Sequence, residues 1–316
     1  MIDAILIIVG LAVIVFSAHV LVDGASSLAK RLGISDLVIG LTIVAFGTSA
    51  PELTVNVFSA LKGSTDIAVG NIFGSNICNI LLILGVAALI RQLSVKQTTR
   101  WKEIPFTLLA AIVLAVLGND MLLDGAAHNI LSRGDGLILL GFFCIFIVYT
   151  FGITSKDDPD ITPHKEKSLW MSLLMIGLGI AGLFGGGKIL IQSAVTLATT
   201  IGMSQKVIGL TIVAIGTSLP ELATTAVAAY KKKSDIAVGN VVGSNIFNTF
   251  FVLGITPLIM PVPFDATVNA DIIMSVFSSV ILFMIIPLLR SRKNARFVGI
   301  SFILLYIGYI TFTVIR

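Results

Sequence analysis

Two glutamates, Glu52 and Glu221, stand inside otherwise apolar tracts, each directly after a proline: GTSAPEL at 47–53 and GTSLPEL at 216–222. A carboxylate among hydrocarbon side chains is costly, so it marks a functional position by default. Proline has no N–H, so Pro51 denies the Gly47 carbonyl its helical partner, and Pro220 does the same to Gly216. Glycine at the break lets the backbone leave helical geometry without a Cβ clash. The expected result is a locally unwound segment presenting the carbonyls of Ala45, Gly47 and Thr48 beside the hydroxyls of Thr48, Ser49, Thr217 and Ser218. In a bilayer such backbone survives only where it faces protein or a wet cavity.

A second pair of motifs adds oxygen. GNIFGSNICN (70–79) sets Ser75 and Asn79 four apart, on one helix face, and GNVVGSNIFN (239–248) does the same with Ser244 and Asn248. Carboxylates, carbonyls, hydroxyls and amides without His or Cys suit hard cations such as Na⁺, Ca²⁺ or Mg²⁺. Irregular backbone ligands favour Ca²⁺ over the strict octahedron of Mg²⁺. The four segments read as a cage for hard cations.

The elements that must hold this cage follow from composition. The chain has 316 residues, 56% hydrophobic and 12% charged, with a mean hydropathy of +1.03; soluble domains carry about 25% charged residues. Apolar stretches of about twenty residues recur, enough to cross a bilayer core. The alternating pattern of a β-barrel is missing. The fold class is therefore an all-α integral membrane protein, with ten spans near 3–30, 36–61, 66–90, 103–119, 134–153, 169–200, 205–230, 235–260, 269–289 and 297–315. The opening segment lacks the basic flank of a signal peptide and has a counterpart deep in the chain, so it counts as a span. Cys78 and Cys144 have neither disulfide nor metal-type spacing.

The chain repeats itself. A shift of 169 positions lays residues 38–53 on 207–222 and 66–79 on 235–248, and over 38–79 roughly three positions in five are identical. Five spans per half force the second half to enter the membrane from the opposite side, which gives inverted-topology repeats with broken helices at the midplane. The organisation is 1–154 as the first repeat, 155–168 as a polar linker and 169–316 as the second repeat. Lys and Arg gather at one set of loops: Lys30, Arg31, Arg91, Lys96, Arg100, Lys102, Lys156, Lys165, Lys167, Lys231–Lys233, Arg290, Arg292, Lys293 and Arg296. The opposite loops keep Lys62, Arg133, Lys206 and Arg316. The positive-inside rule makes the first set and the linker cytoplasmic and both termini extracytoplasmic in the cell (inner) membrane. Trp101 and Trp170 fall at cytoplasmic span ends, where interfacial aromatics are expected.

Plainer roles compete for several of these residues. Each hydroxyl can bond back to its own helix carbonyl, and Asn79 and Asn248 can join neighbouring helices. Asp66 and Asp235 read as N-caps of the third and eighth spans, while Asp120, Asp124 and Asp135 read as solvated loop residues. His19 matches Lys188 and Asp23 matches Gln192 in the repeat, but their chemistry differs between halves, which disfavours a central symmetric role.

The paired GTS-x-PEL and GN-x-x-GSN-I-x-N motifs closely resemble the two α-repeats of the sodium/calcium exchangers, within the calcium/cation antiporter superfamily, and its compact prokaryotic members above all. The resemblance implies Ca²⁺/Na⁺ antiport by alternating access, with an electrogenic cycle favoured. It implies Ca²⁺ held by Glu52, Glu221 and the carbonyls of Thr48 and Thr217. It places Ala45, Ser49, Ser75 and Asn79, with Ala214, Ser218, Ser244 and Asn248, at flanking Na⁺ sites, and makes the first and sixth spans gating helices. Some members carry aspartate where this chain has Asn248, which questions any proton competition. No large regulatory domain fits between the halves. The implied partners are Ca²⁺, Na⁺ and the lipid bilayer; no nucleic acid, obligatory protein partner or resident cofactor is implied. The main rival is a Ca²⁺/H⁺ antiporter using the same glutamates. A channel is disfavoured by two opposed broken motifs, and an enzyme by the lack of a nucleophile–base arrangement.

Overall fold

A computed structural model describes residues 2–95, 99, 101–152, 167–200, 214–264 and 268–315. Most of the 155–168 linker and the 205–213 start of the seventh span lie outside them, as do Lys96, Arg100, Lys156, Lys165, Lys206 and Arg316.

The first half comprises α1 (Ile2–Leu32), α2 (Asp36–Thr48), α3 (Ala50–Leu61), α4 (Thr65–Ile90), α5 (Glu103–Leu117), the short α6 (Asp120–Leu123) and α7 (Arg133–Gly152). The second comprises α8 (Leu169–Thr200), α9 (Ala214–Thr217), α10 (Leu219–Tyr230), α11 (Ser234–Ile259), α12 (Val268–Ile285) and α13 (Arg292–Ile315). Among the described residues, seven helices are long and apolar enough to span a membrane, and eight if the bent pair α2–α3 is one span. The 15-residue α5 is shorter than a full span. This is a multi-pass membrane fold of helices. Among the described residues it carries one small β pair, Ile130–Leu131 against Val262–Pro263, which the apolar pattern did not announce.

Two helices form the centre. The membrane stretches of α11 and α4 are 94% and 78% buried, whereas the other long helices lie between 22% and 39%. The two central helices run antiparallel and are joined by amides: Asn79 Nδ2 donates to Asn245 Oδ1 at 2.9 Å and Asn248 Nδ2 to Asn76 Oδ1 at 3.2 Å. Side-chain amide bonds of this kind hold helices together where apolar contact with lipid offers no contrast.

Helices α1 and α8 also run antiparallel, in close backbone contact. A Cβ on Gly186 would lie 3.0 Å from the Gly10 carbonyl oxygen, and one on Gly179 2.7–2.9 Å from Leu21. Small residues along both helices make this approach possible. One end of the molecule gathers 88–95, 231–234 and 289–292, through Leu93 N to Leu289 O, Ser94 N to Ser234 Oγ and Arg290 to the Val95 carbonyl. The other end gathers the β pair, Asn129 and Phe264.

Among the described residues, three wide π turns, Gly40–Val44, Asn79–Ile83 and Phe247–Val252, interrupt α2, α4 and α11. Such turns insert a residue and often sit at functional sites. Asp66 and Asp235 are not the caps: helices α4 and α11 begin at Thr65 and Ser234, after Ser64 and Lys233, so both aspartates lie in the first turn. Asp120 and Asp135 are also more than solvated. Asp120 accepts from Ile130 N at 2.9 Å, and Asp135 from Ser132 N and Oγ at 2.7 and 2.6 Å.

Candidate functional site

The prolines act differently from the simplest expectation. Helix α2 ends at Thr48, only Ser49 leaves helical geometry (φ −84°, ψ 6°), and α3 resumes at Ala50 with a 45° bend. Ser218 (φ −86°, ψ 4°) is the matching corner between α9 and α10. Pro51 and Pro220 therefore fall in the first turn of a new helix, where a missing N–H costs nothing. The Ala45 carbonyl, expected to be exposed, instead accepts from Ser49 N at 3.0 Å and Thr48 Oγ1 at 3.3 Å. The corner places Glu52 and Glu221 at the N-terminal turns of α3 and α10, a location whose dipole favours a carboxylate.

Both carboxylates are sealed in protein: Glu52 is 0% and Glu221 1% exposed. Ser75 Oγ donates to Glu52 Oε1 at 3.2 Å, and Ser49 Oγ donates to Glu221 Oε1 at 3.0 Å. Ser218 Oγ lies 3.5 Å from Ser75 Oγ, and Thr48 Oγ1 lies 3.5 Å from Ser244 Oγ. Each half therefore contributes a hydroxyl to the surroundings of the other half's glutamate or serine. Ser49, Ser75, Ser218, Ser244, Asn79 and Asn248 are all buried with the glutamates. Thr217 is half-buried and lines a cavity of about 230 Å³ with Pro51, Lys188, Gln192 and Pro220. Ala45 is buried against the place where Gly243 lacks a Cβ, and Ala214 opens α9.

Two more asparagines, unmarked by the sequence reading, anchor the corners. Asn71 Nδ2 reaches the Glu52 carbonyl at 3.3 Å and Asn56 Oδ1 at 2.7 Å. Asn240 Nδ2 reaches the Glu221 carbonyl at 3.5 Å and Thr225 Oγ1 at 3.0 Å, while its Oδ1 accepts from Thr48 at 3.1 Å. Asn76 and Asn245, at the central helix crossing, also escaped notice. All four sit inside the duplicated GN-x-x-GSN motif, so its repetition was the available signal.

The acceptors left over define the chemistry. Glu52 Oε2, Glu221 Oε2, Asn79 Oδ1 and Asn248 Oδ1 are buried with no hydrogen-bond partner among the described residues. Buried acceptors are almost always satisfied, so a set of four calls for a donor or a cation. His19 and Asp23 do not join this set: Asp23 Oδ1 pairs with Lys231 at 2.7 Å, and the His19 carbonyl accepts from the same ammonium at 3.2 Å.

Comparison with known proteins identifies the family. A profile of the family described as "Sodium/calcium exchanger protein" matches residues 2–152 and 171–315. The chain is 39% identical to the "Putative antiporter CaxA" of Alkalimonas amylolytica, with 98% of each chain covered. It is 28% identical to the "Sodium/calcium exchanger MaX1" of Methanosarcina acetivorans, covering 98% of this chain and 97% of that one. Among solved structures it superposes on the sodium-calcium exchanger NCX_Mj soaked with 2.5 mM Na⁺ and 0.1 mM Ca²⁺, at a TM-score of 0.83 and 31% identity over 98% of both chains. Matched by the family profile over 2–152 and 171–315, and 39% identical over nearly its whole length to one relative, the chain belongs to the sodium/calcium exchanger family.

Proposed function

We propose that this protein is a secondary active antiporter that exchanges Ca²⁺ for Na⁺ across the membrane by alternating access, with an electrogenic cycle. The observation that carries the reading is the buried pair Glu52 and Glu221, each with one oxygen engaged by a serine and the other without a partner among the described residues. The solved relative NCX_Mj was soaked with Na⁺, Ca²⁺ and Sr²⁺, and MaX1 carries the exchanger name.

The mechanism is a charge argument. Two carboxylates give a formal charge near −2 in a poorly solvated place, and moving uncompensated charge through the membrane interior costs several kcal/mol. One Ca²⁺ cancels that charge, and so do two Na⁺. A loaded carrier rearranges and an empty one does not, which couples the two fluxes. A third Na⁺ makes the cycle voltage-sensitive by about 2.3 kcal/mol per charge per 100 mV. In this reading Glu52, Glu221 and the carbonyls of Thr48 and Thr217 hold Ca²⁺. Ala45, Ser49, Ser75 and Asn79, with Ala214, Ser218, Ser244 and Asn248, form the Na⁺ sites.

Ten spans in two inverted five-helix repeats, 1–154 and 169–316, complete the proposal. The antiparallel pairs α1/α8 and α4/α11 support it, because each pair occupies equivalent places in the repeat. The family match divides at the same linker. The end that gathers 88–95, 231–234 and 289–292 carries the basic residues, so it is cytoplasmic and both termini face out.

The test is ⁴⁵Ca²⁺ uptake into proteoliposomes with Na⁺, K⁺ and pH gradients imposed separately. A Na⁺ gradient should drive uptake, and Glu52→Gln or Glu221→Gln should abolish it. Uptake driven by a pH gradient alone would replace this reading with Ca²⁺/H⁺ exchange.

A further inference from the structure

The two halves end their broken spans in the same turn but arm it differently. In the first half Ser64 N donates to Ser59 O at 2.9 Å and Gly63 N to Ala60 O at 3.1 Å; in the second Lys233 N donates to Ala228 O at 2.8 Å and Lys232 N to Ala229 O at 3.1 Å. This double bond pattern closes a helix with a left-handed residue, here Gly63 at φ 75° and Lys232 at φ 64°. The turn aims the flanking side chains. Lys231 Nζ lies 2.7 Å from Asp23 Oδ1, and Lys233 Nζ lies 2.9 Å from Asp36 Oδ2, whose partner oxygen accepts from Ser26. Both ion pairs tie α1 or the entry to α2 onto the end of α10.

The repeat counterparts cannot do this. Shifting by 169 positions turns the pair Asp23–Lys231 into Gln192 and Lys62, and the pair Asp36–Lys233 into Gln205 and Ser64. Packing is unequal in the same sense. Along α1, Leu21 and Val22 are at most 1% exposed, whereas their counterparts Leu190 and Ile191 on α8 are half-buried. Beside the equivalent stretch of α8 lies the 230 Å³ cavity lined by Lys188, Gln192, Thr217, Pro51 and Pro220. Thr48 is wholly buried, while its counterpart Thr217 is not.

We propose that Lys231 and Lys233 clamp their end of the molecule shut through Asp23 and Asp36, and that the carrier, whose sequence offers no opposite charges at the repeat-equivalent positions, rests accessible from the cavity side. The inference extends the alternating-access reading. It gives that cycle a built-in preference for one state, set by charges outside the cation cage. Each pair is partly solvated, with Asp23 45% exposed, so the bias is modest.

The test reads accessibility and not transport. In a Cys144→Ser background, Val22→Cys places a thiol under the clamp, and its alkylation by a water-soluble maleimide is timed in purified protein. Lys231→Gln with Lys233→Ser should speed labelling about two- to fivefold, the size expected of partly exposed ion pairs. Lys62→Gln should not change the rate, and exchanging the charges (Asp23→Lys with Lys231→Asp) should restore slow labelling. If the lysine variant misfolds, Asp23→Asn with Asp36→Asn makes the same test. A rate unmoved by loss of the clamp charges, or a gain that the exchange fails to reverse, overturns the proposal. Failure of antiport itself would show separately, as absent Na⁺-driven uptake in the unaltered chain with the thiol result intact.

Discussion

Ser49 Oγ donates to Glu221 Oε1 at 3.0 Å, so the corner residue of the first broken span is bonded to the carboxylate of the second. The bond orients that carboxylate and leaves Oε2 for a cation. A hydrogen bond to a charged group contributes about 1.5–3 kcal/mol. Ser49→Ala should therefore raise the half-saturating Na⁺ concentration about tenfold in vesicle flux, since 1.4 kcal/mol is a factor of ten. An unchanged value would remove Ser49 from the cage.

Asn240 is expected to matter for folding more than for ions. Its amide spans the Glu221 carbonyl, Thr225 and Thr48, and it is wholly buried. Asn240→Leu would strand three polar groups, each costing about 1–3 kcal/mol when unsatisfied. The melting temperature in detergent without added Ca²⁺ should drop sharply. Asn71→Leu should cost less, because Asn71 is half-buried and, among the described residues, bonds only Glu52 and Asn56.

These cases show what the sequence could reveal. That Glu52, Ser49, Ser75, Asn79 and their counterparts are buried together was legible because a carboxylate, a proline and a hydroxyl recur in duplicate within apolar tracts. Span existence was legible for the same reason, as hydropathy needs no knowledge of neighbours. Asn76 and Asn245 were missed because the reading followed one face at intervals of four. The π turns at Asn79–Ile83 and Phe247–Val252 add a residue and rotate that face, so a 3.6-residue period fails there. The corner was misplaced from Gly47 to Ser49 because proline can also begin a helix, a choice that tertiary packing decides. Ion pairs such as Asp23–Lys231 lie 208 residues apart and leave no local trace.

Lys232 is the one described non-glycine residue with positive φ, at 64°. For a side chain bearing a Cβ that conformation costs about 1–2 kcal/mol. Its counterpart Gly63 takes φ 75° without the clash. Lys232→Gly should raise stability by about 1 kcal/mol, and Gly63→Lys should lower it by a similar amount. Thermal unfolding of the two variants in the same detergent checks the opposite signs.

The α1/α8 contact permits a sharper comparison within one helix. A Cβ added at Gly179 would lie 2.7 Å from Leu21 Cβ and 2.8–2.9 Å from Leu21 backbone atoms, whereas one at Gly177 meets nothing within 4 Å. Backbone cannot retreat as a flexible side chain can, so Gly179→Ala must push the helices apart. Overpacking of this kind costs about 1–3 kcal/mol. Gly177→Ala instead removes the flexibility penalty of a helical glycine, which is worth about 0.5–1 kcal/mol in the stabilising direction. Thermal unfolding should separate the two substitutions by sign. Flux should separate them by rate, because α1 and α8 are the helices proposed to move as gates and only the first substitution alters their contact. Equal behaviour of the two variants would mean that the close approach at Leu21 is not what joins these helices.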